Sequence, residues 1–133
     1  MDVYIKKWLI KANNNLKVAL HELEMDAHQI VTEAICFHAQ QSAENFFKAF
    51  LIFHETEFGK THNLEYLLEL CAKIDKDFRK LETGNLSYYA VEIRYPDDFY
   101  IPTREEADQS IQLAEAIKKF VLTKLKINEH KLS

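Results

Sequence analysis

Three places in this sequence bring together residue types that can do chemistry. The first is Gln40-Gln41-Ser42-Ala43-Glu44-Asn45 followed by Lys48, set inside an apolar stretch. Steps of three and four put Gln41, Glu44 and Lys48 on one helical face. There they read either as an ordinary i,i+4 ion pair, worth a few tenths of a kcal/mol, or as a polar strip facing a subunit or ligand. The second is His62, in the short polar run Lys60-Thr61-His62-Asn63 between two helical patterns. A histidine there caps a helix or faces a ligand. The third is Arg94, ahead of Tyr95-Pro96-Asp97-Asp98-Phe99-Tyr100. A guanidinium at a helix end satisfies terminal carbonyls. Beside these aromatic rings it is equally suited to hold a phosphate next to a stacked base, with Tyr95 supporting the pocket.

Other chemistries lack their residues. The six histidines form no H-x-x-x-H pair and no E-x-x-H bundle pair, so no metal site is expected. No Gly-rich phosphate loop occurs, which sets aside P-loop and dinucleotide folds, and no cofactor is implied. Cys36 and Cys71 lie in apolar helical segments and read as buried thiols, in keeping with a reducing, cytoplasmic setting.

The elements that must position these groups are helices. Only two glycines and two prolines occur in 133 residues, too few turn formers for a β-rich fold. With 47% apolar and 29% charged residues, the chain reads as one globular domain spanning 1–133, its core at about 2–127 and a polar, frayed C-terminal tail. Ile5, Trp8, Ala12, Leu16, Ala19 and Leu23 form the stripe of a first helix over 2–24, with Lys6, Lys7, Lys11 and Lys17 as a solvated face. Residues 27–57 are apolar on more than one side and predict a central helix, with Gly59 as its stop. A third helix follows Asn63 or Thr61 as cap, carrying Leu64, Leu67, Leu68, Cys71 and Ile74. A fourth, interrupted at Gly84-Asn85, is expected from about Asp77 to Ile93, ending before Pro96. Thr103-Arg104-Glu105-Glu106 reads as a capping box opening the last helix. The expectation is an all-α, up-and-down bundle of four to five helices.

A formal charge of −4 argues against a broad basic surface, so any nucleic-acid role must sit in a local pocket. No apolar run reaches the roughly 18–20 residues that span a bilayer, so no membrane role is expected.

The blocks Cys36-Phe37-His38-Ala39-Gln40-Gln41-Ser42-Ala43-Glu44-Asn45-Phe46-Phe47-Lys48-Ala49, Thr61-His62-Asn63-Leu64 with Leu67, and Arg94-Tyr95-Pro96-Asp97 occur in that order. Together with the last helix they resemble the HEPN domain (higher eukaryotes and prokaryotes nucleotide-binding), over about residues 2–127. The resemblance implies a helical bundle that pairs as a homodimer with a cleft between subunits. It also implies, in many members, a minimal nucleotidyltransferase encoded as a separate chain in toxin–antitoxin-like pairs. Other members are metal-independent ribonucleases, with an arginine followed four to six residues later by a histidine. Arg94 matches that arginine, but Tyr95 to Ile101 contain no histidine, and neither Arg79 nor Arg104 has one at that spacing. Cleavage by 2′-hydroxyl attack benefits from a group that exchanges protons near neutral pH, which Asp97 or Asp98 would not supply. The expectation is a non-catalytic module binding nucleotide or RNA phosphate through Arg94, with Tyr95, Lys48 and His62 as further ligand contacts. The alternatives are an endoribonuclease whose base is displaced to His62, and a purely structural adaptor.

Overall fold

The computed structural model describes residues 2–90 and 100–132. They form four α-helices, α1 (Val3–Leu23), α2 (Thr32–Phe53), α3 (Leu64–Ile74) and α4 (Arg104–Leu125), and short 3-10 helices at Lys76–Lys80, Leu86–Ala90 and Glu129–Leu132. No strand occurs among them. The all-α bundle expected from the sequence is the one observed.

α2 is the central element and packs against α1, α3, α4 and the 3-10 helix Leu86–Ala90. Every residue from Ser42 to Leu51 is buried, so this helix has no solvent face over nearly three turns. The α1 stripe Ile5, Leu9, Ala12, Leu16 and Ala19 covers one side of it. α1 and α2 run antiparallel: Glu22 accepts from the Val31 amide at one end, and Trp8 meets Phe58 at the other. α4 runs alongside α2 in the same direction. Thr32 Oγ1 donates to the Pro102 carbonyl near both helix starts, Ser110 meets Cys36 a turn later, and Phe78 bridges Phe50 and Phe120 farther on.

Several boundaries differ from the sequence expectation. α2 begins at Thr32 rather than 27, because Asp26 closes a separate turn, its carbonyl accepting from the Gln29 and Ile30 amides. It ends at Phe53, well before Gly59. Glu55 takes the left-handed conformation (φ 53°), and the Thr56 amide donates back to the Leu51 carbonyl at 2.9 Å. That bond satisfies an end-of-helix acceptor with no glycine present.

The fourth α-helix expected from Asp77 is replaced, among the described residues, by two 3-10 turns. Lys76–Lys80 drives Phe78 into a ring cluster, 4.4 Å from Phe50 and 4.8 Å from Phe120 between centroids. Lys124 of α4 holds this turn from outside, 2.8 Å from Asp75 and 2.7 Å from Asp77. Gly84 then turns with φ 51°, which breaks the right-handed helical run, and an added Cβ there would meet Leu113 Cδ1 at 2.8 Å. The tail also departs from expectation. Glu129–Leu132 folds back, and Leu132 is buried against the core.

Candidate functional site

The polar strip of α2 does not face open water. Glu44 lies within the buried run, its side chain 4% exposed, and it gathers three donors. Lys48 Nζ donates to Oε2 at 2.9 Å, while His62 Nδ1 and Gln40 Nε2 reach Oε1 at 2.8 and 3.2 Å. Gln40 also donates to the His62 carbonyl at 3.1 Å, and its own oxygen accepts from Gln41 at 2.7 Å. A buried charge is tolerable only when paired and hydrogen-bonded, and Glu44 meets that condition on both oxygens.

The Glu44–His62 contact fixes a tautomer. A carboxylate only accepts, so His62 Nδ1 must carry a proton, and in the neutral ring Nε2 is left as a lone-pair acceptor. The His62 side chain is 55% exposed. Its backbone is held on both sides: Gln40 grips its carbonyl, and Asn63 caps α3 by accepting from the Tyr66 amide at 2.9 Å. Lys48 is placed differently. Its ammonium is spent on Glu44 and sits over the Phe58 ring, 5.4 Å from the centroid, so it serves as counter-ion rather than free cation.

A neighbouring cluster continues from α3. The Leu64 amide donates to Ser87 Oγ, which donates in turn to Glu65. Past Ser87, Tyr88 and Tyr100 meet edge to face at 6.2 Å. Tyr100 and Tyr89 both donate to Glu106, at 2.6 and 3.3 Å. Glu106 also accepts from the Thr103 amide, while Thr103 Oγ1 accepts from the Glu106 amide, which is the expected capping box. A pocket of about 300 Å³ lies among Asn85, Tyr88, Tyr89, Tyr100 and Glu106. The Thr103 amide, then the Tyr100 hydroxyl, holds the Glu106 carboxyl below its usual range. Burial pushes the Tyr89 phenol up, and the hydrogen bond to Glu106 does the same for Tyr100. Both phenols therefore remain donors at neutral pH.

The structure thus joins Lys48 and His62, fourteen positions apart in sequence, through the buried carboxylate of Glu44. Arg94 and Tyr95 lie outside the described residues. The sequence offered Glu44 as half of an ordinary ion pair with Lys48 or as part of a polar strip, and not as a buried hub; the missed signal is a carboxylate within a stretch apolar on more than one side. Gln40, which ties helix to turn, carries no sequence signal of its own. Among the described residues no three His, Cys, Asp or Glu side chains converge as a metal site. No helix there is long and apolar enough to cross a membrane.

The family model described as HEPN domain matches residues 5–126, and the chain belongs to that family. No curated protein and no solved structure matches it. Membership points to a nucleotide- or RNA-related function in a family whose members often dimerise.

Proposed function

We propose that this single HEPN domain works as a homodimer that binds nucleotide or RNA phosphate through Arg94 and His62, without cleaving it, as the partner of a minimal nucleotidyltransferase in a toxin–antitoxin-like pair. The observation that carries the reading is the Glu44-oriented His62. Its outward Nε2, when protonated, donates a charge-assisted bond to a phosphate oxygen. Lys48 keeps Glu44 neutralised, and Tyr95 supports the pocket. The lack of a histidine four to six residues after Arg94 argues for binding rather than cleavage.

A ligand that binds only the folded state raises the melting temperature with concentration. ATP and oligouridylate are expected to do so, with Arg94→Ala abolishing the shift. His62→Ala should weaken binding roughly ten- to a hundredfold, in line with about 1.5–3 kcal/mol for a bond to a charged group. Flat melting curves at millimolar ATP and with oligouridylate would overturn the proposal.

The same geometry favours one second reading, a ribonuclease whose base is neutral His62, since a carboxylate-held imidazole with a free Nε2 is arranged to accept a proton. Metal-free cleavage of a mixed RNA, lost in both Arg94→Ala and His62→Ala, would establish it. No cleavage by the wild type leaves the binding module.

A further inference from the structure

Beyond its Asp2 cap, α1 differs from the other helices in the charge it carries. α3 and α4 carry carboxylates in their first turns and a lysine in their last, and α2 begins with Glu33, as the helix dipole favours. α1 has no acidic residue in its first turn. None of the chain's 21 Asp and Glu residues falls within 3–21, where Lys6, Lys7, Lys11 and Lys17 are all exposed. Lys7 and Lys11 stand one turn apart and repel. None of the four forms an ion pair with a described residue. A cationic face without carboxylates is thus set apart in a chain of net charge −4.

Aromatic rings are interleaved with these charges. Tyr4, 56% exposed, meets Trp8 edge to face at 6.4 Å, and Lys11 Nζ stands 6.0 Å from the Trp8 ring centre. Trp8 in turn meets Phe58 at 6.4 Å, and Phe58 lies under Lys48, the partner of Glu44. Ring contacts therefore connect α1, through Phe58, to the buried Lys48–Glu44 pair that holds His62. A groove of about 410 Å³ lines the same face between Lys7 and Val18.

We propose that α1 is a strand-tracking surface for single-stranded RNA, with Lys7 and Lys11 on phosphates and Tyr4 and Trp8 against bases, leading the strand to His62; this rests on the phosphate-binding reading above. Alternating cations and stacking rings suit unpaired nucleotides, whose base faces are open. A duplex hides those faces. A second copy of this chain is disfavoured here, since a two-fold contact would set lysines against lysines. An acidic protein segment would match the charge and leave the rings unused.

Trp8 is the only tryptophan, so its emission reports on this face alone. The test titrates the full chain with a labelled oligouridylate of roughly ten nucleotides, within the site sizes of single-strand binders. Anisotropy reads binding anywhere and Trp8 quenching reads binding at α1. Saturable quenching is expected, with affinity at least tenfold weaker in Lys7→Gln/Lys11→Gln. The slope of log affinity against log salt should fall by about 1.4, or about 0.7 for each lost phosphate contact. Lys7→Glu should bind more weakly still while melting no lower than wild type, which separates lost binding from lost folding. Anisotropy that rises without quenching, and equally in the lysine variants, overturns the α1 surface and leaves phosphate binding at Arg94 and His62 intact. Equal quenching by polyglutamate also overturns it, in favour of an acidic protein partner. Failure of both ATP and oligouridylate to bind removes both proposals.

Discussion

Glu44 and Lys48 are worth more together than apart. Removing one partner of a buried pair leaves an uncompensated charge, so Glu44→Ala should cost about 3–5 kcal/mol in chemical denaturation. Adding Lys48→Met should recover part of that loss; an additive double variant would mean that the pair is not coupled. The i,i+4 spacing made this pair legible in the sequence. Its burial was not legible, because a Glu–Lys pair of the same spacing is usually solvated, and only the packing of α2 on all sides decides the matter. The link from Glu44 to His62 crosses a turn whose path no local pattern specifies, so only the family resemblance joined them. His38 makes a second residue-scale prediction. Half-buried at the α1–α2 seam, it bonds Asn15 through Nδ1 at 2.9 Å, and burial lowers its pKa below 6.5. The unfolded chain therefore takes up this proton first. Its contribution to stability is complete above pH 6.5 and declines as pH falls below it. Urea midpoints measured from pH 7.5 to 5 should fall in the wild type and fall less in His38→Leu.

At the scale of elements, the stretch 75–90 decides how α4 can lie beside α2. It carries the chain from the Phe78 cluster back to Tyr89, which bonds Glu106 in the first turn of α4, and two helices separated in sequence run the same way. Gly84 is the pivot. Gly84→Ala combines a positive φ with a contact on Leu113, and should destabilise by more than about 1 kcal/mol. An unchanged melting temperature would show that Leu113 yields freely. The sequence suggested a helix interrupted at Gly84-Asn85, and no local pattern shows that Phe78 is drawn sideways between α2 and α4. The end of α2 was missed for a related reason: Glu55 has no preference for left-handed backbone, whereas Gly59 advertises one. The capping box at Thr103 and the Asn63 cap were readable because their chemistry is wholly local.

For the molecule as a whole, the C-terminal turn closes the end of the bundle where α1 and α4 meet. Leu132 is 3% exposed, and full burial of such a side chain is worth about 1.5–3 kcal/mol. Deleting residues 128–133 should lower stability by about that much and leave nucleotide binding unchanged; a truncated chain as stable as the full one would show that the turn is dispensable. The two thiols have a different consequence. Cys36 lies under α4, bonded by Ser110, and Cys71 of α3 donates to the Phe47 carbonyl, with burial raising both pKa values. Neither sulfur reacts while covered, because the thiolate is the nucleophile. Each becomes a clock for a different seam of the fold. Alkylation counted by mass under native conditions would time the lifting of α4 at Cys36 and of α3 at Cys71, and the difference between the two rates would show which side of the bundle opens first.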